Sequence, residues 1–122
     1  MFDRTENKLS SKEDFYLKIN KHFLEFSGDL IPAKITTDLS EYVTNLIFEI
    51  YQRRWEKFPK SKKRYSELVI EDLHSPYFQH RIFDFLKETA GHKYVVYTRQ
   101  ILGLSKSEFI EFEQRKNQFE NM

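Results

Sequence analysis

Apolar residues recur at helical spacing through most of the chain, and the longest such run lies between Asp38 and Phe58. There Leu39, Tyr42, Val43, Leu46, Ile47, Ile50 and Tyr51 fall at i, i+3, i+4, i+7 and i+8, one broad face of a helix. Glu41, Asn45, Glu49, Gln52 and Glu56 share a narrow polar stripe, while Phe48 and Trp55 widen the apolar arc from its other edge. A helix that needs cover over more than half its circumference is a central one, with others packed around it. Asp38 and Glu41 have the spacing of a reciprocal N-terminal cap, and Pro59 stops the helix.

Shorter patterns flank this one. Ser10 or Ser11, with Glu13 or Asp14 three residues on, opens a helix that sets Phe15, Ile19, Phe23 and Phe26 on one face. His22 lies beside them, Leu17 and Leu24 lie opposite, and Gly28 is the C-terminal stop. The link from Asp29 to Thr37, with Pro32 and β-branched residues, reads as extended, laying Leu30, Ile31 and Ile35 on the core edge. Past the central helix, Tyr65, Leu68, Val69 and Leu73 predict two or three further turns. Ser75-Pro76 then starts a helix with Phe78, Ile82, Phe85, Leu86 and Thr89 on one face, closed by Ala90-Gly91.

Residues 93–102 hold strand-favouring types from Tyr94 to Thr98. Tyr94, Tyr97, Thr98 and Ile101 also fit a helical face, and no second strand is evident to pair with, so a helix is predicted. Gly103-Leu104-Ser105 breaks it, and Ser105 with Glu108 caps a last helix over 106–120, anchored by Phe109, Phe112 and Phe119. The expectation is an all-α single-domain bundle over residues 10–122, with five or six helices around a central one at about 38–58. Residues 1–9 read as a flexible N-terminal lead.

Composition sharpens this picture. Twelve Phe and seven Tyr against three Gly mean a core built from large rings. Phe2, Phe48, Phe112, Phe119 and Tyr77 fall outside the inward faces, a candidate partner patch. The absence of cysteine excludes disulfides and thiolate metal sites. The leading MFDRTENKLSSKED has no apolar core, and no apolar run approaches the ~20 residues that span a bilayer, so a cytoplasmic protein with no membrane partner is expected.

Charge is segregated. From Gln52 to Arg64 there are seven Lys/Arg against one Glu, a net +6, whereas the whole chain is +1 and the remainder therefore −5. Arg53, Arg54 and Lys57 continue the buried face of the central helix. A core cannot take three unpaired cations, so the last turn and a half is expected to project beyond it or to send those side chains outward along their stems. Lys60, Lys62, Lys63 and Arg64 follow, and Trp55 supplies an aromatic anchor. This basic–aromatic corner suits an acidic macromolecule. The near-zero net charge favours an acidic protein surface over nucleic acid, which is the alternative through phosphate contact and base stacking. The plainer account is a solvated helix end whose cations complement the helix dipole.

Other chemistry is sparse. Residues 97–115 scan as helix, turn, helix, but Glu108, Glu111 and Glu113 against Lys106 would repel phosphate, and Arg99 stands where a small residue is usual. An ordinary helical corner is predicted. Among His22, His74, His80 and His92 no HExxH occurs. The six-residue spacing of His74 and His80, even with Asp72, does not set two imidazoles on one face, so no metal is assigned. There is no GxSxG, no thiol nucleophile and no glycine-rich phosphate loop. With no catalytic residue and no cofactor to assign, a non-enzymatic accessory or regulatory protein is the expected class, and a small hydrolase or metal-dependent enzyme the minor alternative.

Overall fold

A computed structural model of the protein describes residues 12–57 and 70–120. Five α-helices run through them: α1 Lys12–Ser27, α2 Ala33–Lys57, α3 Pro76–Thr89, α4 Tyr94–Leu102 and α5 Lys106–Glu120. Short 3-10 turns occupy Ile70–His74 and Gly91–Lys93, and no strand occurs among the described residues. The fold is an all-α bundle with α2 along its centre.

The chain from α1 to α2 reverses within five residues. Gly28 adopts φ +53°, the left-handed conformation that favours glycine, and the Ser27 carbonyl accepts from the N–H groups of Leu30 and Ile31. The Pro32 carbonyl then accepts from Ile35 and Thr36, so α2 begins at Ala33 and not at Asp38. The predicted extended link is thus half helix, and Asp38, far from capping, pairs with Lys34 one turn earlier at 3.1 Å. Proline is well placed just before a first turn, because its missing N–H has no partner there to lose.

The early start follows from what packs there. Thr36, Ser40 and Thr44 form a buried stripe of small residues at four-residue spacing along α2, facing α1. Ser40 Oγ lies 2.8 Å from the Thr36 carbonyl oxygen and 2.9 Å from Asn20 Oδ1, its single proton serving one of these acceptors at a time; Thr44 Oγ1 donates to the Ser40 carbonyl at 2.6 Å. Ser27 Oγ donates to the Phe23 carbonyl and lies 3.0 Å from Thr36 Oγ1. Back-bonding to the preceding turn satisfies these hydroxyls, so polar residues enter the interface without an unmet donor.

Rings fill the remaining space. Phe15 meets Phe48 and Tyr51 edge-on, with centroids at 5.3 and 5.4 Å. Phe23, Ile19, Val43, Ile47, Ile82, Leu86, Tyr97 and Ile101 complete the main core. Tyr42 stacks on Phe85 at 5.1 Å. Phe48 therefore belongs to the core edge and is not a stray ring. Three predicted inward residues are exposed instead: Phe26, whose place Ser27 takes, Leu30 of the α1–α2 link, which Ile31 replaces in the core, and Thr89.

A second cluster attaches α5. Phe83, on the opposite side of α3 from Phe85, gathers Phe109, Phe112 and Tyr94 at centroid distances of 5.5 to 5.9 Å. Phe112 is thus buried and removed from the partner patch. Lys116, only 5% exposed, reaches Asp84 Oδ1 at 2.9 Å and lies 5.4 Å over the Phe83 ring. The cation is desolvated but held by a carboxylate and a ring face together. Phe2 and the side chain of Phe119 lie outside the described residues, as do Ser10, Ser11, Tyr65, Leu68 and Val69; Tyr77 is exposed beneath Arg81, at 4.9 Å.

One buried group stands out in α4. Thr98 is wholly buried and its Oγ1 finds no hydrogen-bond partner among the described residues. An unpaired buried hydroxyl costs about 1–3 kcal/mol relative to an apolar group of the same shape. Thr98→Val is therefore expected to stabilise the protein by about 1 kcal/mol, seen as a higher urea midpoint at unchanged m-value; an unchanged or lower midpoint would mean that the hydroxyl is satisfied.

Candidate functional site

Among the described side chains of α2, Tyr51, 2% exposed, is the last buried one, and Gln52, Arg53, Arg54, Glu56 and Lys57 after it are all exposed. Arg53, Arg54 and Lys57, the three cations that continue the buried face in sequence, thus stand in solvent on the final turn and a half. Trp55 belongs to this stretch of α2; its side chain, and the whole of Lys60, Lys62, Lys63 and Arg64, lie outside the described residues.

Arg53 Nη2 is paired with Glu49 Oε1 at 2.7 Å, one turn back, with the two side chains 71% and 63% exposed. An exposed pair of this spacing contributes only about 0.3–0.5 kcal/mol, so it does not fix Arg53 against a competing partner. Arg54 lies on a different side of the helix. It lines an open cleft of about 430 Å³ together with Ile47, Ile50, Tyr51 and Phe78, and with Glu71, Asp72, His74 and Ser75.

The far side of that cleft is the Ile70–His74 turn, placed by three contacts. Leu73 is buried in the core, the Tyr51 hydroxyl donates to Asp72 Oδ2 at 2.5 Å, and the His74 ring meets His22 of α1 edge-on at 5.8 Å. His22 is half-buried against Phe26 at 5.0 Å and Phe23 at 5.7 Å. Burial pushes its pKa below the ordinary 6.5, His74 adds to that, and Glu25 opposes it. The two histidines are 52 residues apart in sequence, so no spacing motif announces the pair.

His80 lies elsewhere, half-buried against Phe112 at 5.4 Å, and His92 is exposed in the second 3-10 turn. His74 and Asp72 share the cleft without His80. No group of three or more His, Asp or Glu side chains converges to hold a metal among the described residues.

The predicted corner over 97–115 is present as α4, a turn with Gly103 at φ +67°, and α5. Its second helix turns Phe109 and Phe112 inward and leaves Lys106, Glu108 and Glu111 exposed. An acidic first turn of this kind repels a phosphate backbone.

No protein-family model, no curated protein and no solved structure matches the chain. Among the described residues no helix is long and apolar enough to cross a membrane.

The start of α5 yields a direct test of local geometry. Ser105 N–H donates to Glu108 Oε1 at 2.8 Å and Glu108 N–H donates to Ser105 Oγ at 3.1 Å, the reciprocal cap expected from the sequence. The Ser105 backbone N–H first, and the Ser105 hydroxyl beside the carboxylate second, hold the Glu108 carboxyl below its ordinary range. The unfolded chain then binds the proton first, so the cap contributes fully above the ordinary carboxylate pKa and is lost as pH falls through the lowered one. In Ser105→Ala the Glu108 titration is expected to move up in a carboxylate-resolved NMR titration, with the first turn of α5 losing amide protection. An unmoved Glu108 would mean that the hydroxyl takes no part.

Proposed function

We propose that the chain is a non-enzymatic, cytoplasmic binding protein that docks an acidic protein surface with the basic end of α2 and the residues after it. One observation carries the reading: Tyr51 is the last buried residue of α2 among the described side chains, and Arg53, Arg54 and Lys57 beyond it are exposed where a run of further cations begins in sequence. Lys60, Lys62, Lys63 and Arg64 continue that run in sequence, and Trp55 is the residue best suited to anchor a contact among them. Clustered cations raise the encounter rate with an acidic partner and disfavour basic ones. The balanced net charge favours a protein partner, since dedicated nucleic-acid domains are basic overall.

The test compares wild type with R53E/R54E/K57E as baits for affinity capture from the native host, and by fluorescence polarisation on a random single-stranded DNA and a random duplex. The three side chains are exposed, so the variant is expected to keep its circular dichroism spectrum and melting temperature. The protein reading predicts a discrete partner of low isoelectric point, recovered at least tenfold less by the variant, and weak DNA binding. Micromolar duplex binding with a steep salt slope, shallower in the variant by about 0.9 per phosphate it no longer neutralises, would replace it with the nucleic-acid reading. Equal behaviour of bait and variant in both assays would reduce the helix end to a solvated surface.

A further inference from the structure

The last helix is fastened to the bundle by one short row of its own residues. Phe109, Phe112 and Lys116, at i, i+3 and i+7, are buried, and the other described side chains of α5 are exposed or half-buried. Among the described residues none of α5 enters the main core, so that core is built without it. The row sits in a groove of α3 and α4 lined by Phe83, Tyr94, Val95 and Leu102, with Leu104 of the intervening turn. A unit held by so few buried groups is the part of a fold that opens first.

The groove specifies what can refill it. Its rings take two phenylalanines one turn apart, and Asp84 Oδ1, beside Phe83, holds the Lys116 ammonium at 2.9 Å one further turn along. A helix with Phe, Phe and Lys at i, i+3 and i+7 satisfies all three contacts, and every copy of this chain carries one.

Which copy's groove α5 fills is decided at residues 103–105. Gly103 adopts φ +67°, the Arg99 carbonyl accepts from Leu104 N–H at 3.0 Å, and Arg99 Nε donates to the Leu104 carbonyl at 3.2 Å. Glycine leaves the left-handed region at no steric cost. With Gly103 in right-handed helical conformation, α4 and α5 continue as one helix from Tyr94 to Glu120, about 40 Å long, and α5 no longer folds back on its own α3. Short hinge loops of this kind favour exchange between copies.

We propose that α5 is an exchangeable arm: two copies straighten at Gly103, and each seats its α5 in the α3–α4 groove of the other. The Phe83–Phe109, Phe83–Phe112 and Asp84–Lys116 contacts are then remade between chains. Because the same contacts exist in both states, the balance lies between the freedom lost on association and the backbone preference of the two hinges. The exchange is independent of the docking reading above; on that reading, the dimer carries two basic α2 ends and binds bivalently.

The experiment is sedimentation velocity of the full chain, equilibrated at about 10 μM to about 1 mM, a range that reads dissociation constants from micromolar to millimolar. Wild type is compared with G103A and with a variant carrying two glycines inserted between Gly103 and Leu104. A Cβ at Gly103 meets nothing within 4 Å, so G103A penalises the left-handed closed hinge alone. Wild type is expected to dimerise within the range, G103A with a dissociation constant at least tenfold lower, and the lengthened hinge with one at least tenfold higher. In a dimer mixed from isotope-labelled and unlabelled copies, Phe83 of one copy should show NOEs to Phe112 of the other, rings that lie 5.5 Å apart across the groove. The proposal is overturned if wild type stays monomeric to the top of the range, or if both hinge variants dimerise as wild type does. A dimer without the cross-chain Phe83–Phe112 signal overturns it equally, since such a dimer associates through its surface.

Discussion

The close contact between α1 and α2 is the constraint on which the rest of the structure depends. It is made by small hydroxyl residues and not by the rings that dominate the composition. Thr36, Ser40 and Thr44 give α2 a low surface along which α1 can lie, and their hydroxyls turn back on their own helix or reach Ser27 and Asn20. A large side chain on this stripe would push the helices apart, and overpacking of a filled interface costs about 1–3 kcal/mol. With α1 in place, Phe15 lies edge-on to Phe48 and Tyr51, and Phe23 is sealed in the core. His22, on the next step of the same helix, is carried to where His74 arrives. The fine geometry beside the basic end is therefore inherited from a helix pair lying mostly at the other end of α2.

The division into two clusters has a separate logic. The main core runs through α1, α2, α3 and α4, whereas α5 is held by a satellite group around Phe83. Phe83 and Phe85 are adjacent-but-one on α3 and point to different neighbours, so α3 is covered on both sides. Lys116 fixes the angle of α5 more than it adds stability: its pairing with Asp84 offsets the cost of burying a cation that hydrophobic packing alone would not incur. The last helix is accordingly an attached arm whose outer face keeps its charges.

The legibility of the sequence follows the physics of each signal. Stops are plain, because Gly28, Gly91 and Gly103 all adopt left-handed backbone that other residues resist. The Ser75-Pro76 start and the Ser105–Glu108 cap are equally local, although Ser75 caps α3 by its backbone position without a side-chain bond. The start of α2 is hidden because Thr36 reads as a polar link residue, and nothing local shows that a hydroxyl will bond back four residues and go inside. Phe83 escapes the inward face of α3 because it is buried by α5, through a pairing with Phe112 across 29 residues that periodicity cannot register. The same holds at the candidate site. Segregated charge is a sum over neighbours and is visible, whereas the cleft joining Arg54 to the Ile70–His74 turn depends on a tertiary return of the chain.

The helix dipole separates the ordinary part of the basic end from the part that requires another explanation. At 1.5 Å per residue, the six residues beyond Tyr51 carry α2 about 9 Å past the last buried side chain among those described. Arg54 and Lys57 lie in the final turn, where a cation is stabilised by the partial negative charge of a helix C-terminus. Those two, and Arg53 paired with Glu49, have sufficient structural reason to be where they are. The dipole's influence fades within one turn, and Lys60, Lys62, Lys63 and Arg64 follow Lys57 in sequence, outside the described residues. These four cations in five positions complete the net +6 that the sequence concentrates between Gln52 and Arg64, and the dipole argument does not extend to them.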